Sequence, residues 1–310
     1  MVSMHIDLFA AILTLAATLL VAPGVQGVIK RVKAFWQLRT GPPLLQAYLD
    51  LAKLARKGSV IPEPSSLVFL AAPTVVVGAT LCAAMLVPIV GTRSPLGVGD
   101  AILVIGLLAL GRFALALGAL DTGGAFCGMG ASREMAIAAL VEPALFIALF
   151  ALAIPAGSTD LGQLAVAAGR PAAFGPATLL ALGALLIVAL AETGRIPVDN
   201  PDTHLELTMV HEGMLLEYSG RPLLLLTGAA MVKQVVVFSL IVALVAPWGM
   251  SAAWPLALLI WLIKVAVLGV VVACIETAYA KLRILRLPDL LASAFALGGL
   301  SLLARAMWGG

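Results

Sequence analysis

Four ionisable residues stand near the middle of long apolar runs: Arg112, Glu142, Lys233 and Lys264. A charge held at the centre of a membrane helix costs about 2.5–3.5 kcal/mol on the insertion scale, so packing alone gives no reason to keep four of them. Residues of this kind face a bundle interior or a wet cavity and mark routes for ions or protons. Three cations and one anion cannot neutralise one another. Partners are expected from hydrated cavities, from the acidic segment near Glu192, or from carboxylates of neighbouring chains. The plainer alternative is a static pair of Glu142 with one lysine that fixes helix register. Pro143, directly after Glu142, would disturb its helix and admit water to the carboxylate.

A second concentration of chemistry runs from Glu192 to Arg221. Six of the sixteen acidic residues fall there: Glu192, Asp199, Asp202, Glu206, Glu212 and Glu217. Asn200 followed by Pro201 reads as an N-cap and first helical residue, and Gly220 as a C-terminal cap, which predicts a helix of about eighteen residues. On that helix Asp202, Glu206 and Glu217 share a face, with His204 and His211 nearly opposite. It would be too polar for lipid and too apolar for water, and should pack on protein while lining a polar cavity. The two histidines stand too far apart to chelate one metal. Cys82, Cys127 and Cys274 are isolated, without a CxxC pair, which disfavours iron–sulfur or structural zinc sites. Gly123, Gly124, Gly128 and Gly130 flank Cys127 without the lysine of a phosphate loop, and predict a tight re-entry turn. Neither GxSxG nor HExxH occurs, so no site for bond-making chemistry is expected.

The elements that must position these groups follow from composition. Of 310 residues, 62% are hydrophobic and 11% charged, where soluble domains carry roughly 25% charged residues. A water-soluble globule and a disordered chain are both excluded. A net charge of +3 is too small to suggest nucleic acid. Windows of about 20 apolar residues give eight candidate spans, over 6–29, 67–90, 98–120, 135–155, 174–193, 223–246, 253–275 and 289–308. The first lacks a basic segment before it and is read as a retained helix rather than a signal peptide. The expected fold is therefore all-α: a single polytopic membrane domain, 1–310, with about eight transmembrane helices.

Loops after spans 1, 3, 5 and 7 hold thirteen of the nineteen basic residues, among them Lys30, Arg31, Lys33, Arg39, Lys53, Arg133, Arg195, Arg221 and Lys281. The positive-inside rule then places those loops in the cytoplasm and both termini outside. Leu44 to Lys57, with Gln46, Asp50, Lys53 and Lys57 at helical spacing, predicts an amphipathic helix at the cytoplasmic interface. A stand-alone secondary transporter would carry internal inverted repeats, and none is visible.

Several motifs in order carry a family resemblance. Arg39-Thr40-Gly41-Pro42, with Gln46, Asp50 and Lys53 behind it, resembles the first cytoplasmic loop of the subunit 1 family of respiratory complex I and its hydrogenase relatives. Leu120-Asp121-Thr122-Gly123, Gly130-Ala131-Ser132-Arg133-Glu134 and Val141-Glu142-Pro143 resemble the version in formate hydrogenlyase subunit 4 and hydrogenase-4 component C. Glu192-Thr193-Gly194-Arg195-Ile196-Pro197-Val198-Asp199 and Glu217-Tyr218-Ser219-Gly220 resemble the acidic loop shared by all of them.

The resemblance implies a non-catalytic membrane subunit of an oxidoreductase complex in a prokaryotic inner membrane. Its partners would be hydrogenase-like large and small subunits, a ferredoxin-like iron–sulfur subunit and antiporter-like membrane subunits. Iron–sulfur clusters, with or without a nickel–iron centre, would lie in those partners, and no cofactor in this chain. Arg39, Gln46, Asp50, Lys53, Glu192, Arg195, Asp199, Asp202, Glu206, Glu212, Glu217 and Arg221 would form the junction with the redox arm. Arg133, Glu134 and Glu142 would continue inward. Arg112, Lys233 and Lys264 join this charge relay from depth alone. Pro197-Val198-Asp199 stands where complex I members show Pro-Phe-Asp, and the glutamate run after it is missing. That disfavours a quinone pocket, although a quinone-site subunit of an NADH-dehydrogenase-like complex remains the alternative.

Overall fold

The computed structural model describes residues 2–91, 99–170, 173–200 and 209–308. Among these the regular structure is helical and no strand occurs, with eleven α-helices: α1 (Val2–Trp36), α2 (Gln46–Arg56), α3 (Leu67–Leu86), α4 (Ala101–Asp121), α5 (Ala125–Ala153), α6 (Leu161–Ala168), α7 (Pro176–Glu192), α8 (His211–Leu215), α9 (Gly220–Val245), α10 (Trp254–Ala278) and α11 (Leu287–Trp308). Seven of them are long and apolar enough to cross a bilayer. The eighth expected span, α7, is apolar but only 17 residues long, at the lower limit for a crossing.

Helix α9 is the hub. It touches α1, α2, α3, α6, α7 and α10, and nearly every residue from Val232 to Leu244 is buried. Around it α3 packs on α4, α1 on α10, and α11 on both α5 and α7. The helix starts are marked locally. The hydroxyl of Ser66 caps α3, and the carboxylates of Asp100 and Asp160 cap α4 and α6, each accepting a backbone N–H. Asp121, at the end of α4, accepts from the Ser66 N–H at 2.6 Å, the Ser66 hydroxyl at 2.7 Å and the Phe69 N–H at 3.2 Å. Its negative charge thus sits at the N-terminus of α3, where the helix dipole favours it, and it locks α3 to α4.

The helix expected over Leu44 to Lys57 is present as α2. Its apolar residues Ala47, Leu51 and Leu54 are less exposed than Leu49, Asp50 and Lys53, and it lies across α1 and α9. The glycine turn is narrower than expected. Gly123, at φ 67°, and Gly124 make the turn, and α5 already begins at Ala125. Gly128 and Gly130 lie inside that helix. A Cβ on Gly130 would stand 2.9 Å from the Val210 carbonyl oxygen, so this glycine lets α8 approach. Pro143 does not break α5, which runs through it.

Candidate functional site: two charge clusters around a cavity

The site begins where α7 stops. Thr193-Gly194 ends the helix in a Schellman turn: Gly194, at φ 59°, donates its N–H to the Ala191 carbonyl at 3.2 Å, and Arg195 donates to Leu190 at 2.8 Å. The chain then runs non-helically and buried from Arg195 to Asp199. Irregular backbone at such a place is tolerated when protein surrounds it. Because α7 is short, its last residue, Glu192, meets Arg112 of α4 and Lys233 in the middle of α9.

Glu192 is the centre of the first cluster. One carboxylate oxygen pairs with the Arg112 guanidinium, and the other lies 2.9 Å from Lys233 Nζ. Arg112 also reaches Glu142 at 2.9 Å and Glu134 at 3.6 Å, both on α5. Three of the four mid-span charges are therefore brought together, and the acidic end of α7 supplies the missing partner. Glu142 pairs with an arginine rather than a lysine. Glu142 also keeps 35% of its side chain exposed, against 3% for Glu192, so it is the member with an outlet from the bundle.

A second cluster lies outside the expectations from sequence. Glu276 of α10, whose side chain is fully buried, places Oε1 3.5 Å from Arg195 and Oε2 2.9 Å from Lys33 of α1. The Arg195 guanidinium donates to Gln26 of α1 and, at 2.9 Å, to Gln234 of α9. Gln26 Nε2 donates to Gln234 Oε1 at 2.5 Å. Glu276 falls one residue beyond the expected span, and the glutamines are uncharged. Polar residues within apolar runs, charged or not, are the signal that would have found them.

Between the clusters lies a cavity of about 200 Å³, lined by Gln26, Lys33, Glu192, Arg195, Lys233 and Gln234 among others. That is room for several water molecules. Lys233 and His211 also line a smaller cavity of about 40 Å³ on the Arg112 and Glu134 side.

The predicted long acidic helix is corrected. Residues 201–208, with Asp202, His204 and Glu206, lie outside the described residues. Beyond them come the five-residue α8 and then a turn. Asp199 explains the fold-back: Oδ1 accepts from Lys281 at 2.7 Å, and Oδ2 accepts the His211 N–H at 3.1 Å. A straight helix would separate residues 199 and 211 by roughly 18 Å. Gly220 does not cap this segment. It opens α9 at φ 55°, and a Cβ there would overlap the Gly58 carbonyl oxygen. The same junction is stapled by Ser219 Oγ, which accepts the Val60 N–H at 2.8 Å, and by Ser59 Oγ, which accepts the Arg221 N–H at 3.2 Å. Beside it Tyr218 stacks on Phe69 with ring centroids 4.1 Å apart and donates to the Phe69 carbonyl. Burial in this contact raises the Tyr218 phenol above its usual range.

The other expected residues scatter. Glu212 lines the larger cavity. Arg133 donates to the Met209 carbonyl at 2.9 Å and holds the start of α8. Arg39, Asp50, Lys53, Glu217 and Arg221 are exposed, and Gln46 donates to Asp50 at 2.8 Å. Lys264 stands apart from both clusters. Its ammonium donates to the carbonyls of Ala246 and Trp248 and lies 3.8 Å from the Trp248 ring centroid, capping the end of α9.

An all-helical bundle with seven long apolar helices and paired charges inside it defines a polytopic integral membrane protein. Over residues 9–305 the chain matches the family described as NADH dehydrogenase, and it belongs to that family, which includes complex I subunit 1. It is 38% identical to hydrogenase-4 component C of Escherichia coli (strain K12) over 91% of both chains. It is 36% identical to formate hydrogenlyase subunit 4 of the same organism, over 85% of this chain and 87% of the relative. A chain from the membrane-bound sulfane sulfur reductase, an archaeal respiratory membrane complex, shares the fold. The TM-score is 0.81 at 23% identity, covering 96% of this chain and 98% of that one.

Proposed function

We propose that the chain is the membrane-anchor and coupling subunit of a hydrogenase- or formate hydrogenlyase-type oxidoreductase complex in a prokaryotic inner membrane, with both termini outside. On this reading the basic face, with Arg39, Gln46, Asp50, Lys53, Asp199, Asp202, Glu206, Glu212, Glu217 and Arg221, seats a peripheral arm of hydrogenase-like large and small subunits and a ferredoxin-like iron–sulfur subunit. Redox centres stay in that arm, and this chain performs no bond-making step. The observation that carries the proposal is the buried cluster of Arg112, Glu134, Glu142, Glu192 and Lys233 beside a cavity that the acidic segment also lines.

A change of charge on the arm side alters the balance at Glu192, and Arg112, which holds Glu192, Glu142 and Glu134 at once, carries that change to the other two carboxylates. Glu142, partly exposed at the far side of Arg112, is the exit toward antiporter-like membrane neighbours. The similarity to hydrogenase-4 component C and formate hydrogenlyase subunit 4 supports the choice of complex. The test is Glu142→Gln in the whole complex in sealed vesicles. Assembly is retained and ions moved per electron fall; unchanged pumping refutes the relay.

One observation favours a second reading, a quinone-site subunit. An apolar cleft of about 220 Å³ lies among α1, α3 and α9 beside Leu51 of α2, a shape that accepts an isoprenoid tail. Labelling of this chain by a photoreactive quinone analogue would support it.

A further inference from the structure

Helix α1 ends in a conformation that its last residues do not favour by themselves. Gln37 donates its N–H to the Lys33 carbonyl at 3.0 Å, Leu38 to Phe35 at 3.1 Å and Arg39 to Ala34 at 2.9 Å, which closes a Schellman turn. The left-handed position of such a turn is usually glycine; here it is Leu38, at φ 53°. Among the described residues it is the only one besides glycines with a positive φ. Its side chain is 96% exposed, beside Phe35 at 75% and Trp36 at 61%, whose rings meet edge to face with centroids 6.4 Å apart. The tip is nevertheless fixed. Gly41 lets the returning chain lie against α1, where a Cβ would stand 2.8 Å from the Ala34 Cβ, and a Cβ on Gly27 would overlap the Leu44 carbonyl oxygen. Lys33 is tied to Glu276 at 2.9 Å. Lys30, Arg31 and Arg39 are exposed, and no acidic residue occurs between Asp7 and Asp50.

We propose that Phe35, Trp36 and Leu38 form an apolar anchor that seats in a pocket of a peripheral protein, with acidic groups of that protein facing Lys30, Arg31 and Arg39. The inference rests on the docking proposed above and adds the residues that hold the arm. A strained backbone is retained where function requires it, and Leu38 gives the bundle nothing that glycine would not give with less strain. Height rules out lipid as the occupant. Helix α2, with Ala47 buried on one face and Asp50, Lys53 and Arg56 exposed on the other, belongs at the membrane surface. The chain just before it touches α1 at Gly27. Trp36 stands nine residues further on, about 13 Å along the helix, roughly twice the depth of a headgroup layer. Large apolar side chains gathered on a water-facing tip and rimmed by charge mark a protein contact, and tryptophan and arginine are the residues that carry such contacts. The uninterrupted positive charge selects an acidic partner surface. Because backbone hydrogen bonds close the turn beforehand, little freedom is lost on contact.

The experiment uses the intact complex in native membranes. With Trp36 replaced by photoreactive p-benzoylphenylalanine, irradiation is expected to join position 36 to a peripheral chain, identified by mass spectrometry. Adducts with phospholipid or with membrane chains alone, or no adduct, overturn the proposal. Leu38→Gly removes the side chain and relieves the turn at once. It is expected to leave the melting temperature of this chain in the solubilised complex undiminished, while release of the arm from washed vesicles quickens about ten-fold, as loss of a central interface side chain does. Trp36→Ala is expected to release the arm at least as fast. Unchanged release in either variant overturns the proposal, as does quicker release of Leu38→Gly accompanied by a lowered melting temperature. Arg39→Gln and Lys53→Gln separate the two levels. If they release the arm and the apolar variants do not, the anchor fails alone; if none of the four does, the docking reading fails with it.

Discussion

Replacing Glu192 by Gln removes the one negative charge that faces both Arg112 and Lys233, and the two cations suffer unequally. Arg112 retains Glu142 at 2.9 Å and Glu134 at 3.6 Å. Lys233 loses the only carboxylate within ion-pair distance among the described residues; its side chain is 19% exposed, and only the cavity it lines can offer water in the partner's place. Breaking a buried pair from one side costs about 3–5 kcal/mol, chiefly because the remaining charge is stranded. With Arg112 still compensated, the low end applies, about 3 kcal/mol, or a hundred-fold or more in the folding equilibrium. Adding Lys233→Met removes the stranded ammonium, so the double variant should recover most of the loss. The assay is reversible unfolding in mixed detergent micelles, followed by circular dichroism, across the two single variants and the double one. A Glu192→Gln cost below about 0.5 kcal/mol, the ordinary range for surface substitutions, with no rescue by Lys233→Met, would refute the description of this cluster as one compensated unit.

Two further changes test the surrounding framework. Gly220→Ala meets both a positive φ and the Gly58 carbonyl; it should destabilise by more than the 1–2 kcal/mol or so of a left-handed non-glycine residue, read as a lower melting temperature in detergent, and a neutral Ala would show that the α2–α9 junction is loose. Tyr218→Phe loses a single 3.2 Å hydrogen bond but keeps the stack on Phe69, at a cost of about 1 kcal/mol, whereas Tyr218→Ala should cost about 3–5 kcal/mol; equal effects would deny the stack its role.

Much of this architecture is legible in the sequence because the bilayer imposes it. Apolar runs of sufficient length locate the spans, and the helical spacing of Gln46, Asp50, Lys53 and Lys57 locates α2. The charges at 112, 142 and 233 are legible as a group because each is costly alone. Their partner, Glu192, carries a signal of its own, the Thr193-Gly194 stop that ends α7 early. Misreadings come from local signals that long-range contacts override. Asn200-Pro201 and Gly220 imitate the two ends of a helix, but Lys281, more than eighty positions away in the chain, holds Asp199 where the segment must turn back. Glu276 escapes a reading by depth because it follows the last apolar residue of its run, and burial there is decided by α1 and by the chain after α7. Lys264 lies outside both clusters although it is as deep in its run as the other three. Its depth in α10 suggests a relay, yet a lysine stem is long enough to carry the ammonium away to the end of a neighbouring helix.

The junction of Gly58, Ser59 and Val60 with Ser219, Gly220 and Arg221 has a bearing on recognition. The interfacial helix and the entrance to the central helix are tied together before anything arrives at that face. A macromolecule that settles there meets a surface already set, so little conformational freedom is surrendered on contact, and more of the contact energy remains as affinity. Under the docking proposed above, loosening those few backbone contacts would be felt first as faster release of the seated arm, well before the bundle itself came apart.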